Sequence, residues 1–172
     1  MKLETILVPV DPQRRSGPLL SLVERMANRL DLRVILLRVI DLKILAPESR
    51  IYDEVVEEAY KDLRRLARQY LSDAASFKLD VRFGKCAEEI LSAAQRENVD
   101  SIFLPNYGPS LWKRLRFVWK ASSNPNISSM VEKVLSEAEC DVFIVNSKNP
   151  SQANYLKRGC QSLIPAVQKP AR

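Results

Sequence analysis

The stretch "TILVPVDP" (5–12) decides how the rest of the chain is read. Thr5 to Val10 form a short apolar run, and Asp11-Pro12 stops it. A run this short, closed by turn residues, reads as a strand buried on both faces. Such strands belong to parallel sheets covered by helices, so the following sequence should alternate between helix and strand. Leu19, Leu22, Val23, Met26 and Leu30 recur at helical spacing after Gly17-Pro18. "LRVILLRVID" (32–41) is a second β-branched strand, and "LKILAPES" (42–49) a loop. Tyr52, Val55, Val56, Ala59, Leu63, Leu66, Ala67 and Tyr70 then mark a long amphipathic helix. Its early turns hold Asp53, Glu54, Glu57 and Glu58 and its later turns Lys61, Arg64, Arg65 and Arg68. That order complements the helix dipole. "LDVRF" (79–83) alternates like a strand closer to a sheet edge, and Ala87, Ile90, Leu91 and Ala94 give the next helix. "SIFLP" (101–105) and "DVFIV" (141–145) are two more apolar strands. Met130, Val131, Val134 and Leu135 lie on a helix between them, with Ser129 and Glu132 as a capping box at its start. The alternation predicts an open five-stranded parallel sheet with helices on both faces. Ligands of such sheets bind at the carboxyl ends of the strands, where strand order reverses. That directs attention to Val10-Asp11 and to the loop after Pro105.

Composition narrows the chemistry. The 172 residues are most simply one domain with a core. There is no histidine, which removes Ser-His triads, Cys-His dyads and His-ligated metals. Four glycines are few for a phosphate-binding loop. Three cysteines without metal-type spacing suit a reducing compartment. No apolar run reaches the ~20 residues of a membrane span, and "MKLETILVPVD" lacks the features of a signal peptide. The expected location is the cytoplasm. The net charge is +6, of which Lys148, Lys157, Arg158, Lys169 and Arg172 supply +5, leaving +1 for the first 146 residues. A near-neutral body with a basic tail (147–172) argues against nucleic acid as the partner.

Taken in order, these segments resemble the universal stress protein family. "ILVPVD" (6–11) is similar to its opening strand and "VILLRVID" (34–41) to its second, where the family usually has His in place of Arg38. "VRFGKCAEEIL" (81–91) matches its Val-x-x-Gly-x-x-x-Glu-Glu-Ile pattern. "SMVEKVLSEAECDVFIVN" (129–146) is similar to its last helix and strand. The resemblance implies an adenine nucleotide alpha hydrolase-like fold with strand order 3-2-1-4-5 over residues 1–146, followed by a C-terminal extension. It also implies a homodimer through the last strand, Asp141 to Asn146.

Members of that family that bind ATP carry Gly-x2-Gly-x9-Gly-Ser/Thr after the fourth strand. Glycines there let backbone N–H groups approach phosphates at a helix N-terminus. In this chain Pro105 holds the first glycine position and Gly108 the second, while Val118-Trp119 stand where Gly-Ser is expected. The helix then begins only at Ser128-Ser129, with about ten extra residues accommodated in an insert segment at roughly 111–127. By position, Pro9, Val10, Asp11 and Val39 match the adenine and ribose side of the family site. Asn106, Gly108, Lys113, Arg114, Ser128 and Ser129 match its phosphate side. The resemblance therefore implies a degenerate nucleotide site in a non-enzymatic stress-response or regulatory protein without a required cofactor. The alternative is a switch that binds ATP or AMP.

The insert offers a further alternative. In helical form, Leu111, Trp112, Leu115, Val118 and Trp119 share one face, with Lys113, Arg114, Arg116 and Lys120 mostly opposite. Tryptophans seek burial, and the preferred reading lays this helix into the nucleotide cleft as a plug. The alternative is an adaptor in which Trp112, Arg116, Trp119 and Lys120, with the basic tail, dock a protein partner or an anionic membrane surface.

Overall fold

The computed structural model describes residues 4–11, 16–41, 49–72, 76–106, 129–146, 153–156 and 164–165. Its elements, in chain order, are β1 (Glu4–Pro9), α1 (Gly17–Ala27), β2 (Leu32–Ile40), α2 (Ser49–Tyr70), β3 (Ser76–Phe83) and α3 (Cys86–Arg96). They continue with β4 (Ser101–Asn106), α4 (Ser129–Glu137), β5 (Asp141–Asn146), β6 (Ala153–Leu156) and β7 (Ile164–Pro165). The strands form one sheet in the order β3-β2-β1-β4-β5-β6-β7. The first five are parallel and take the predicted 3-2-1-4-5 order.

The opening run reads out directly as structure. From Thr5 to Pro9 every residue of β1 is buried, as expected for a central strand packed on both faces. The period-two alternation of the strand splits its side chains between two cores. Ile6, Val8 and Val10 meet Leu19, Leu20 and Val23 of α1 and Leu63 and Leu66 of α2. Leu7 joins Ile35, Leu37, Ile90, Ile102, Val134 and Ile144 in the second core, with α3 and α4. Helices thus cover both faces, as the alternation requires. Gly84, between β3 and α3, has φ +148°, and a Cβ there would lie 2.7 Å from the Glu89 carboxylate. Glycine closes that turn because other residues would be strained and would clash.

Three boundaries and one edge differ from the sequence reading. α2 begins at Ser49 and β3 at Ser76, each three residues earlier than the apolar pattern shows. α4 includes Ser129 as its first residue, where the capping box places Ser129 ahead of the helix. The edge is the larger correction. Residues 147–172 are not merely a basic tail, since β6 and β7 come from them. Val142 to Val145 of β5 pair antiparallel with Leu156 to Ala153 of β6. β5, the strand of the expected homodimer, lies between β4 and β6 in this fold.

At the amino end of the sheet, Glu97 gathers cations from three elements. Lys78 Nζ donates to its carboxylate at 2.8 Å, with Arg33 at 3.4 Å and Arg96 at 3.7 Å. The hydrogen bond from Lys78 leads in holding this carboxyl below the usual carboxylate range, outweighing the effect of burial, and Arg33 and Arg96 add to it. A depressed folded-state pKa gives stability that is complete above the unfolded value, ~4.3. It is lost as pH falls through the folded value. Lys78 and Arg33 are 40% and 39% exposed, so solvent screens the cluster. Glu97→Gln should cost about 1–2 kcal/mol near neutral pH. Urea midpoints of wild type and variant should converge between pH 5 and 3, on the order of the carboxylate titration range. A gap that persists at the acid end would assign the loss to packing instead.

Candidate functional site

The strand order reverses between β1 and β4, because β2 leaves β1 on one side and β4 joins it on the other. Pairing between β1 and β4 runs through Ile6↔Ser101 and Leu7↔Ile102. The β1–β2 ladder, by contrast, continues to Pro9↔Leu37. The ladder on the β4 side thus stops short of the carboxyl end. A crevice at the switch point is where sheets of this kind take ligands.

The predicted residues that the structure describes gather at this end. Pro9 ends β1, and the buried Val10 follows it. Asp11 is half-buried, and its carbonyl oxygen accepts a 3.2 Å hydrogen bond from Ser16 Oγ. That bond folds the chain from β1 into α1, and Leu20 N–H donates back to the Ser16 carbonyl at 3.0 Å. Val39, near the end of β2, is half-buried against the second core. Asn106 closes β4 in register with Asn146 of β5. Ser129 opens α4 and is exposed. Gly108, Lys113, Arg114 and Ser128 lie outside the described residues, as do Trp112, Arg116, Trp119 and Lys120 of the insert.

Among the described residues at this end, three backbone positions have no N–H to give a ligand. Pro9 and Pro105 have no N–H to offer. Val10 N–H donates to the Leu37 carbonyl at 2.9 Å. Pro105 is buried and in register with Val145, so it belongs to the sheet rather than to a loop. Phe103 and Phe143 stack below this end, with ring centroids 4.6 Å apart and planes at 17°. Phe103 belongs to the first core, and Phe143 packs against it.

Arg38 shows what the sequence reading missed. By sequence it stands only as a replacement for histidine, yet Nη1 pairs with Asp62 Oδ2 of α2 at 2.6 Å. Arg65 reaches the other oxygen of the same carboxylate at 2.8 Å. The pairing ties the carboxyl half of β2 to α2, and a helical pattern that marks Asp62 only as polar does not reveal it. Among the described residues, no cluster of three or more cysteine or carboxylate side chains could hold a metal ion. No helix among them is long and apolar enough to cross a membrane.

Comparison with known proteins fits this arrangement. A universal stress protein from Archaeoglobus fulgidus DSM 4304 is 25% identical and superposes with a TM-score of 0.58, over 81% of this chain and 48% of that one. UspA from Lactobacillus plantarum is 21% identical with a TM-score of 0.58, over 84% of this chain and 98% of its own. A universal stress protein from Archaeoglobus fulgidus in complex with dAMP is 16% identical with a TM-score of 0.52, over 84% and 98%. No curated protein matches in sequence. The model of the Universal stress protein family matches residues 2–146, the whole of the five-stranded body with its helices. The chain belongs to the universal stress protein family.

Proposed function

We propose that this chain is a non-enzymatic regulatory member of its family, with an adenine nucleotide site weakened below useful affinity. The observation that carries the proposal is Pro105. It stands at the first glycine position of the phosphate loop, is buried as the next-to-last residue of β4, and has no N–H. Phosphate binding by a loop of this type depends on several convergent backbone donors. In this chain Pro105 contributes none, and Val118-Trp119 stand where the closing Gly-Ser of the loop is expected. Losing even two charge-assisted hydrogen bonds, each worth about 1.5–3 kcal/mol, removes two to four orders of magnitude in affinity.

The second reading, an ATP- or AMP-responsive switch, is favoured by the structural relative that holds dAMP. Calorimetric titration of ATP with Mg²⁺, and separately of AMP, decides between the two. The expected result is no saturation below about 1 mM, −4 kcal/mol. Binding in the micromolar range, about −8 kcal/mol, would sink the degenerate site and establish the switch.

A further inference from the structure

A cavity of about 470 Å³ opens at the amino ends of β4 and β5, at the opposite end of the sheet from the crevice described above. It lies where α3 and α4 both finish, just before the chain enters those two strands. Asn98 takes φ +48° and turns the chain out of α3. Val99 N–H then donates back to the Ala94 carbonyl at 3.0 Å. Ala94 and Val99 are buried in the second core, and Leu91 and Ala138 are half-buried against it. The floor of the cavity is therefore apolar. Its rim is polar, because Gln95, Asn98, Glu137 and Glu139 are exposed. A concave apolar body with a few polar groups at its mouth, in this range of size, is the form of a small-molecule site.

The charges at the rim have one sign. α3 and α4 both bring their carboxyl ends to the cavity, and the carboxyl end of a helix favours cations. α4 has no basic residue in its last turn and closes on Glu137, with Glu139 just beyond. The cations closest in the chain are engaged elsewhere. Lys133 pairs with Glu88 at 3.2 Å, and Arg96 with Asp80 and Glu97 at 3.4 and 3.7 Å. Among the described residues, neither Glu137 nor Glu139 has a cationic partner. Two carboxylates beside two helix carboxyl ends are in unfavourable surroundings, and a bound cation relieves them. Cys140 also lines the cavity. Even so, no three cysteine or carboxylate side chains among the described residues come close enough to hold a metal ion. We propose that this cavity is a ligand site of its own, for a short aliphatic amine. The methylenes of the amine lie on Leu91, Ala94, Val99 and Ala138, and its ammonium groups meet Glu137 and Glu139. An aliphatic ammonium divides in this way between an apolar surface and a charged, wet rim. The site uses no residue of the nucleotide crevice, so it stands whether or not that crevice binds a nucleotide.

The test titrates the full chain with putrescine and with spermidine, by calorimetry and by amide chemical shifts. Both amines should saturate below about 1 mM. The shifts should be confined to the amides from Gln95 to Val99 and from Glu137 to Cys140. Two control probes separate the parts of the site. n-Butanol has a similar chain and no charge, and Mg²⁺ has the charge and no chain. Each should bind at least about tenfold more weakly than putrescine. Glu137→Gln/Glu139→Gln leaves the floor intact, and both side chains are exposed, so the variant should fold as wild type does. It should bind both amines about tenfold more weakly, the effect of removing two partly exposed ion pairs. Three outcomes would each overturn the proposal. The first is no saturation by about 10 mM amine. The second is amine binding that the double variant leaves unchanged. The third is Mg²⁺ binding as tightly as putrescine, which would reduce the site to a general attraction for cations.

Discussion

Asp80→Ala is expected to cost about 3–5 kcal/mol, the range found when one partner of a buried ion pair is removed. Asp80 and Arg82 both point from β3 toward α3, and their side chains are 12% and 9% exposed. Arg82 Nε donates to Asp80 Oδ2 at 3.0 Å, and Nη1 donates to Ser92 Oγ of α3 at 3.3 Å. Arg96 of α3 leans on the same Asp80 oxygen at 3.4 Å. Glu89 is the other carboxylate near Arg82, at 3.8 Å. Nη2 of Arg82 is buried with no hydrogen-bond partner, so the guanidinium is already under-satisfied. Without Asp80 it would be a buried cation held mainly by a longer contact. A loss of this size is a fifth or more of the stability of an ordinary domain, about 5–15 kcal/mol. The double variant Asp80→Leu/Arg82→Met should recover most of it, because replacing both members of a buried pair by apolar groups is often near neutral. Urea unfolding of the set measures the coupling. A loss under about 1 kcal/mol for Asp80→Ala, the value of a surface pair, would mean that water reaches Arg82 freely.

That network also shows where sequence reading stops. The central strands were legible because burial on both faces leaves an uninterrupted apolar signature, as in Thr5–Val10 and Val34–Leu37. In "LDVRF" (79–83) alternate residues are charged, a pattern that ordinarily marks one solvated face. In the fold that charged face lies beneath α3, and Asp80 and Arg82 are more buried than Leu79, Val81 or Phe83. Pairing, which depends on three-dimensional proximity, hid the burial. The first residues of β3 were missed for the opposite reason, since Ser76 and Phe77 are exposed and carry no periodic signal. β6 escaped because four residues, Ala153 to Leu156, are too few to show a period. Their place is set by the short return from β5 rather than by hydrophobicity. The candidate site divides in the same way. Its strand-borne half, Pro9, Val10, Asp11, Val39 and Asn106, follows from locating the carboxyl ends of strands. Its other half depends on a loop, where glycine placement carries more information than any periodicity.

Ile144→Asp should be the most damaging single change at the β5 edge, and its effect should be on folding before association. A sequence view of β5 as a dimer strand treats a charge at Val142 or Ile144 as a probe of self-pairing. The structure places Ile144 at 5% exposure in the second core, with Ile102, Leu104 and Val134. A carboxylate there is an unpaired charge in an apolar layer, a mechanism that yields losses of about 4–5 kcal/mol or more. The sign of the pH response identifies the cause. Burial raises the folded-state pKa of the new Asp above its unfolded value, ~3.9. The folded state then binds the proton more tightly, so the deficit relative to wild type is smallest below pH ~4 and widens as pH rises toward the folded pKa. Ile144→Asn has similar size and no such titration, and its deficit should stay flat over the same range. Urea unfolding of the two variants at several pH values makes the comparison. If Ile144→Asp were nearly as stable as wild type and independent of pH, Ile144 would be in contact with water, and the second core would not close over β5.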